Sequence, residues 1–209
     1  PMSGFLHQLN LPAPFFAPRW ASLHTATLFS ATVQPWCYQL DTLGLPSDTA
    51  CIDLPSPFDA RQLQVHVAAR LSTRYKDRDA SLQPMATLMA SHYQARPGNY
   101  LAFFSSFDYL RQAADHFEAQ HPGVPVWRQS RGMSEGEQSD FLARFTEHGQ
   151  GIGFAVLGGA FAEGVDLPGR RLVGAFIATL GLPQFNPVNE EICHRLQQLF
   201  GARDRKSVV

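Results

Sequence analysis

From Gly98 onward the chain alternates short apolar runs with amphipathic segments, and that alternation leaves few folds open. Asn99–Phe104 reads as a strand. Asp108–Gln120 reads as a helix with Leu110, Ala114 and Phe117 facing inward. Val124–Trp127 is a second strand, and Glu135–Phe145 a helix with Phe141, Leu142 and Phe145 inward. Ile152–Leu157 and Leu172–Leu180 are two more apolar runs of strand length, and a helix over Asn186–Phe200 closes the series. Strands spaced by helices in this way join through right-handed crossovers, so the sequence predicts a doubly wound α/β domain with a parallel sheet flanked by helices. Ser134, three residues before Glu137, has the spacing of a capping box, in which each side chain satisfies a backbone N–H of the other's turn.

The first half is less regular. Residues 1–20 carry Pro12, Pro14 and Pro18 among Phe5, Phe15, Phe16 and Trp20, and so many prolines predict an irregular arm. Leu23–Phe29 reads as a strand ending at Ser30-Ala31-Thr32. Trp36–Leu45 has helical spacing that stops at Gly44, and Asp53–Phe58 is a turn-rich link. Gln62–Leu71 alternates through Leu63, Val65, Val67 and Ala69, the period of a strand. A charged loop, Arg74–Asp79, leads into a helix from Ala80 to Arg96. Its apolar set, Leu82, Met85, Leu88, Met89 and Tyr93, makes the methionines core filler.

Within Ile152–Pro183, two strands flank a loop, Gly158 to Gly169, with four glycines, a proline and the carboxylates Glu163 and Asp166. Loops at the carboxyl ends of parallel strands are where ligands bind in such sheets. Taken alone, this one also reads as an ordinary connection with two turns. Two hydroxyl clusters also follow strands, Ser30-Ala31-Thr32 and Ser105-Ser106, and Gln129 lies just beyond Val124–Trp127. Clusters after neighbouring parallel strands meet at one sheet edge, where hydroxyls and backbone N–H groups can hold phosphates without reading bases. Ser106 reads equally as the cap of the helix that follows it. Glu163 and Asp166 could form a general acid/base pair, but no His or Lys lies near them to define a nucleophile.

Composition excludes several classes. The 209 residues are 44% hydrophobic and 17% charged with net charge −1, which describes a globular chain without a global basic field. Cys37, Cys51 and Cys193 have neither disulfide-framework nor CxxC spacing, so the expected compartment is the reducing cytoplasm and no metal site is expected. The eight histidines show no metal-binding spacing. There is no apolar run of membrane-spanning length, no signal-peptide pattern and no GxxxxGK[ST] sequence. The Pro1-Met2 opening and the charged end, Arg203 to Ser207, suggest a piece of a longer gene product.

In order, Leu28-Phe29-Ser30-Ala31-Thr32, Ser56-Pro57-Phe58, Leu101-Ala102-Phe103-Phe104-Ser105-Ser106-Phe107-Asp108-Tyr109-Leu110, Gln129-Ser130-Arg131-Gly132 and Gly158-Gly159 through Glu163-Gly164-Val165-Asp166-Leu167-Pro168-Gly169 resemble the C-terminal half of DinG-like helicases. These belong to the XPD-like branch of superfamily 2, and the likeness, over roughly residues 21–200, is to the YoaA type. The resemblance implies a RecA-like second motor domain of an ATP-dependent DNA helicase acting in repair or replication. It assigns Ser30, Ala31 and Thr32 to coupling of nucleotide and DNA sites. Ser105, Ser106, Gln129, Gly158 and Gly159 would bind single-stranded DNA, and Glu163, Gly164 and Asp166 would sense nucleotide. It implies ATP and Mg2+ as cofactors of the whole motor. The partners would be single-stranded DNA, the first motor domain of the same protein and replication or repair proteins, with no membrane. The implied division is an arm over 1–20, the end of the first motor domain over 21–34, a truncated RecA-like domain over 35–201 and a tail over 202–209. The family's P-loop, acidic motif and iron–sulfur cysteines lie upstream of the matching region, and its arginine-finger motif lies downstream; none is found here. The chain by itself is therefore expected to lack ATP turnover. The alternative reading is a RecA-like protein-interaction module without motor activity.

Overall fold

The computed structural model describes residues 12–30, 33, 35–162, 164–179, 187, 190, 191, 193, 194 and 197. The expected tail, Ala31, Thr32, Glu163 and most of the helix expected over Asn186–Phe200 lie outside them. The chain falls into two compact units, Val65–Leu182 and the remainder.

The larger unit is built on a four-stranded, wholly parallel sheet of β1 (Asn99–Phe104), β2 (Val126–Arg128), β3 (Gly151–Val156) and β4 (Gly174–Ala178), in the order β2-β3-β1-β4. This is the expected RecA-like α/β architecture. Alternation along β1 assigns its two faces. Tyr100, Ala102 and Phe104 join Ile152 and Phe154 in a core with Met85, Met89, Leu110, Ala114 and Phe117. Leu101 points the other way and joins Trp127, Phe141, Phe145, Ala155 and Phe161. Both faces are thus covered, which is why β1 and β3 read as continuous apolar runs. On the second face Gly153 admits the aromatic rings: a Cβ there would lie 2.8 Å from both Phe145 Cζ and Trp127 Nε1.

The described helices, in chain order, are α1 (Ala13–Trp20), α2 (Trp36–Leu43), α3 (Arg78–Ala95), α4 (Phe107–Gln120) and α5 (Glu135–Ala143). Ser134 and Glu137 form the full capping box at the start of α5. None of the described helices is long and apolar enough to cross a membrane.

Three expectations are corrected in the first half. Residues 13–20 form α1 and are not irregular. Pro14 falls in the first turn, where a missing N–H removes no helical bond, and the turn is closed by Phe16 N–H to Pro12 O at 3.0 Å. Pro18 costs one interior bond, and the Trp20 indole N–H ties the helix end to Leu43 O at 2.8 Å. Leu23–Phe29 and Gln62–Leu71 are not strands: neither joins a ladder among the described residues. Leu63, Val65 and Val67 are exposed. Period-two spacing reports a pleated backbone, but a strand also needs a neighbour to receive its N–H groups. Gly44 ends α2 as expected, with φ 63° in the left-handed region.

Candidate nucleic-acid interface at the carboxyl edge of the sheet

The loops that leave β1, β2 and β3 start from hydrogen-bonded neighbours, and this places three of the expected segments along one edge. Leu157 N–H donates to Phe104 O at 2.9 Å, extending the β1–β3 ladder by one residue. Ser105 and Gly158 are the next residues on each chain, so the hydroxyl cluster and the glycine-rich loop emerge side by side. Gln129 N–H donates to Phe154 O at 2.8 Å, which brings the end of β2 to the same edge.

Each side chain has a defined task there. Ser106 is the N-cap of α4: its hydroxyl accepts from Tyr109 N–H at 3.2 Å. The capping reading is therefore realised, and it fixes the first turn of α4 with its remaining N–H groups directed outward from the sheet edge. Gln129 is buried, and its amide oxygen accepts from Val156 N–H at 2.8 Å, so it completes the ladder at the end of β3. The rest of its amide lies against Gly159, where a Cβ would be 3.3 Å from Nε2. Two turns open the glycine-rich loop, Gly159 N–H to Val156 O at 3.1 Å and Ala162 N–H to Gly159 O at 3.0 Å. Gly158 and Gly164 hold φ of 78° and 72°, a conformation that side chains with a Cβ disfavour. A Cβ at either would meet nothing within 4 Å, so the backbone is open on that side. Phe161 anchors the loop by stacking on Phe141, with ring centroids 4.2 Å apart. Asp166 is exposed, and Glu163 lies outside the described residues.

Ser30 belongs to the other unit and is exposed; its companions Ala31 and Thr32 are not described. The three hydroxyl and glycine clusters therefore do not form one set within the larger unit.

Sequence reasoning passed over Arg78, which begins α3 and reaches this edge. Its Nη2 donates to Ser105 Oγ at 2.8 Å. Its guanidinium carbon lies 4.6 Å from the centroid of the Tyr109 ring and 5.1 Å from that of Tyr75. The only local signal was an arginine followed by Ser81 and Leu82 at i+3 and i+4, positions without a carboxylate to pair with it. Arg128 on β2 shows the opposite arrangement. It pairs with Asp115 at 2.5 Å and with Glu118. Burial pulls its pKa down, but the two carboxylates more than offset this and hold it above the usual value.

Residues 89–207 match the family described as the helicase C-terminal domain. The chain is similar to a probable ATP-dependent helicase of Methanocaldococcus jannaschii, with 30% identity over 139 residues, 62% of this chain. The chain spans about a fifth (20%) of the length of that curated relative.

Proposed function

This chain belongs to the helicase C-terminal domain family, and on that premise we propose that it is the second motor domain of a DinG-like ATP-dependent DNA helicase of the YoaA type. In this reading the carboxyl edge of the sheet grips the backbone of single-stranded DNA. Ser105 and Ser106 offer hydroxyl and helix N-terminal donors, and Gly158 and Gly159 let the backbone of the next loop come close to a phosphate. Gln129 holds that loop in place through its bond to β3. Glu163, Gly164 and Asp166, further along the loop in sequence, sense a nucleotide bound mainly by the first motor domain. Ser30, Ala31 and Thr32 couple the two sites.

The observation that carries the reading is the Leu157-to-Phe104 hydrogen bond, because it sets Ser105 beside Gly158 at the edge where open parallel sheets bind ligands. ATP with Mg2+ would supply the energy that closes the two motor domains on each other, and any iron–sulfur cluster belongs to the first domain. The place of action is the cytoplasm, in DNA repair or replication.

The test is fluorescence anisotropy of a labelled oligo-dT with the purified chain over a salt titration. Binding that weakens steeply with salt is expected, because counterions return to the phosphates. The same chain, holding no GxxxxGK[ST] sequence, is expected to show no DNA-stimulated ATP turnover. Absence of DNA binding together with tight capture of a replication or repair protein would instead favour an interaction module without motor activity.

A further inference from the structure

Among the described residues no carboxylate lies within ion-pair distance of Arg78. Its neighbour in sequence, Asp77, is engaged otherwise, accepting from the Ser72 hydroxyl at 2.7 Å. The Arg78 Nε is buried and has no hydrogen-bond partner among the described residues. A buried donor without an acceptor costs about 1–3 kcal/mol, and being enclosed this one is out of a ligand's reach, which leaves Nη2 as the donor that meets Ser105.

Tyr109, itself buried, and Tyr75 hold the guanidinium in place, so its orientation is set before any ligand arrives. A guanidinium only donates, so in the Arg78–Ser105 bond the serine oxygen must accept. The serine's own hydrogen is then turned away from Arg78 and is free to donate. The result is a fork of two donors, one charged and one neutral, whose heavy atoms stand 2.8 Å apart at the carboxyl edge. Two oxygens of one phosphate lie at a comparable spacing, so one can accept a charge-assisted bond from Nη2 and the other a bond from the serine hydroxyl.

We propose that Arg78 and Ser105 together bind one phosphodiester of single-stranded DNA, with Arg78 supplying the charge and orienting the serine hydroxyl. The inference rests on the DNA-binding reading above, but it adds a residue that the motif likeness does not include. Arg128, neutralised by Asp115 and Glu118, serves as the internal control: it is an arginine of the same unit built for structure.

The experiment measures oligo-dT affinity against salt for the wild-type chain, Arg78→Gln, Arg78→Lys and Ser105→Ala, with thermal unfolding of each. Each lost phosphate contact lowers the slope of log K against log salt by about 0.7 for a single strand. Arg78→Gln is expected to lose about 0.7 from that slope and roughly tenfold or more in affinity at low salt. Arg78→Lys keeps the slope and loses affinity, because the charge stays and the fork is lost. Ser105→Ala weakens binding and leaves the slope unchanged. If wild type binds but Arg78→Gln keeps its full slope, Arg78 only supports the fold and this inference falls, while the DNA-binding reading stands. If wild type does not bind DNA, the broader reading falls with it. Inorganic phosphate at fixed ionic strength is expected to compete only weakly with oligo-dT for the wild-type chain. Strong competition that is lost in Arg78→Gln would assign the site to free phosphate and overturn the phosphodiester claim.

Discussion

The two edges of the same sheet use the same residue types to opposite ends. At the amino edge the backbone groups are closed. Gly151 N–H donates to Gly98 O at 3.0 Å, Ile152 N–H to Pro125 O at 2.9 Å and Val173 N–H to Asn99 O at 2.9 Å. Asn99 is fully buried, and its Nδ2 donates to Thr146 O at 2.6 Å. The glycines there are steric necessities: a Cβ at Gly149 would sit 2.7 Å from Asn99 Oδ1, and one at Gly151 would run into Trp127 and lie 2.7 Å from Pro125 O. At the carboxyl edge, a Cβ on Gly158 or Gly164 would touch nothing within 4 Å. Glycine at one edge admits the protein's own atoms, and at the other it borders open space. The contrast is one of room and not of unpaired polar atoms, since the buried Asn99 Oδ1 at the amino edge also has no hydrogen-bond partner among the described residues.

The largest effect should come from filling the closed edge. Gly151→Ala is expected to destabilise the unit by about 3 kcal/mol, read as a lower urea midpoint, because backbone and ring atoms there cannot yield. A loss under about 1 kcal/mol would show that this edge is looser than its geometry indicates. Next, Asn99→Ala should cost about 2 kcal/mol by leaving Thr146 O without its donor in a buried place. Gly158→Ala is the matched substitution at the open edge. It should cost only about 1 kcal/mol, from the left-handed φ alone, since no atom is displaced. If it destabilised as much as Gly151→Ala, the contrast between the edges would fail.

The extent to which these edges were legible follows from the range of the contacts that build them. The bounds of β1 follow directly from its apolar run between Gly98 and Ser105, and the capping box of α5 from three residues of spacing. Gly44 announced its helix end for the same local reason. The fold class needed only the alternation of such segments. The tasks of Gln129 and Arg78 did not show, because each bonds a residue 27 positions away, Val156 and Ser105. Spacing within one element carries no trace of such a contact. The exposed run of Leu63, Val65 and Val67 misled for the converse reason: its local pattern was sound, and the partner it needed was absent among the described residues. In the glycine-rich loop the order of motifs pointed to a site, while the sequence could not say which glycines faced open space.

The smallest expected effect concerns the start of α5. Glu137 accepts from the Ser134 backbone N–H at 2.7 Å and from its hydroxyl at 2.8 Å, and these bonds hold its carboxyl below the ordinary value of about 4.5. A depressed carboxylate contributes stability that is present above its unfolded pKa and lost as pH falls through the folded one. The stability gap between wild type and Ser134→Ala should therefore be larger at pH 7 than at pH 3. A gap that widened on acidification would contradict the capping box as the source.

Whether the carboxyl edge is the face that meets DNA is decided by backbone amide NMR. Titrating 15N-labelled protein with oligo-dT should shift the amides of Ser105, Ser106, Gln129, Gly158 and Gly159 and leave Gly98, Asn99, Gly149 and Gly151 in place. Shifts confined to the amino edge, or the absence of any shift at Ser105 and Gly158 under saturating DNA, would contradict the carboxyl edge as that face.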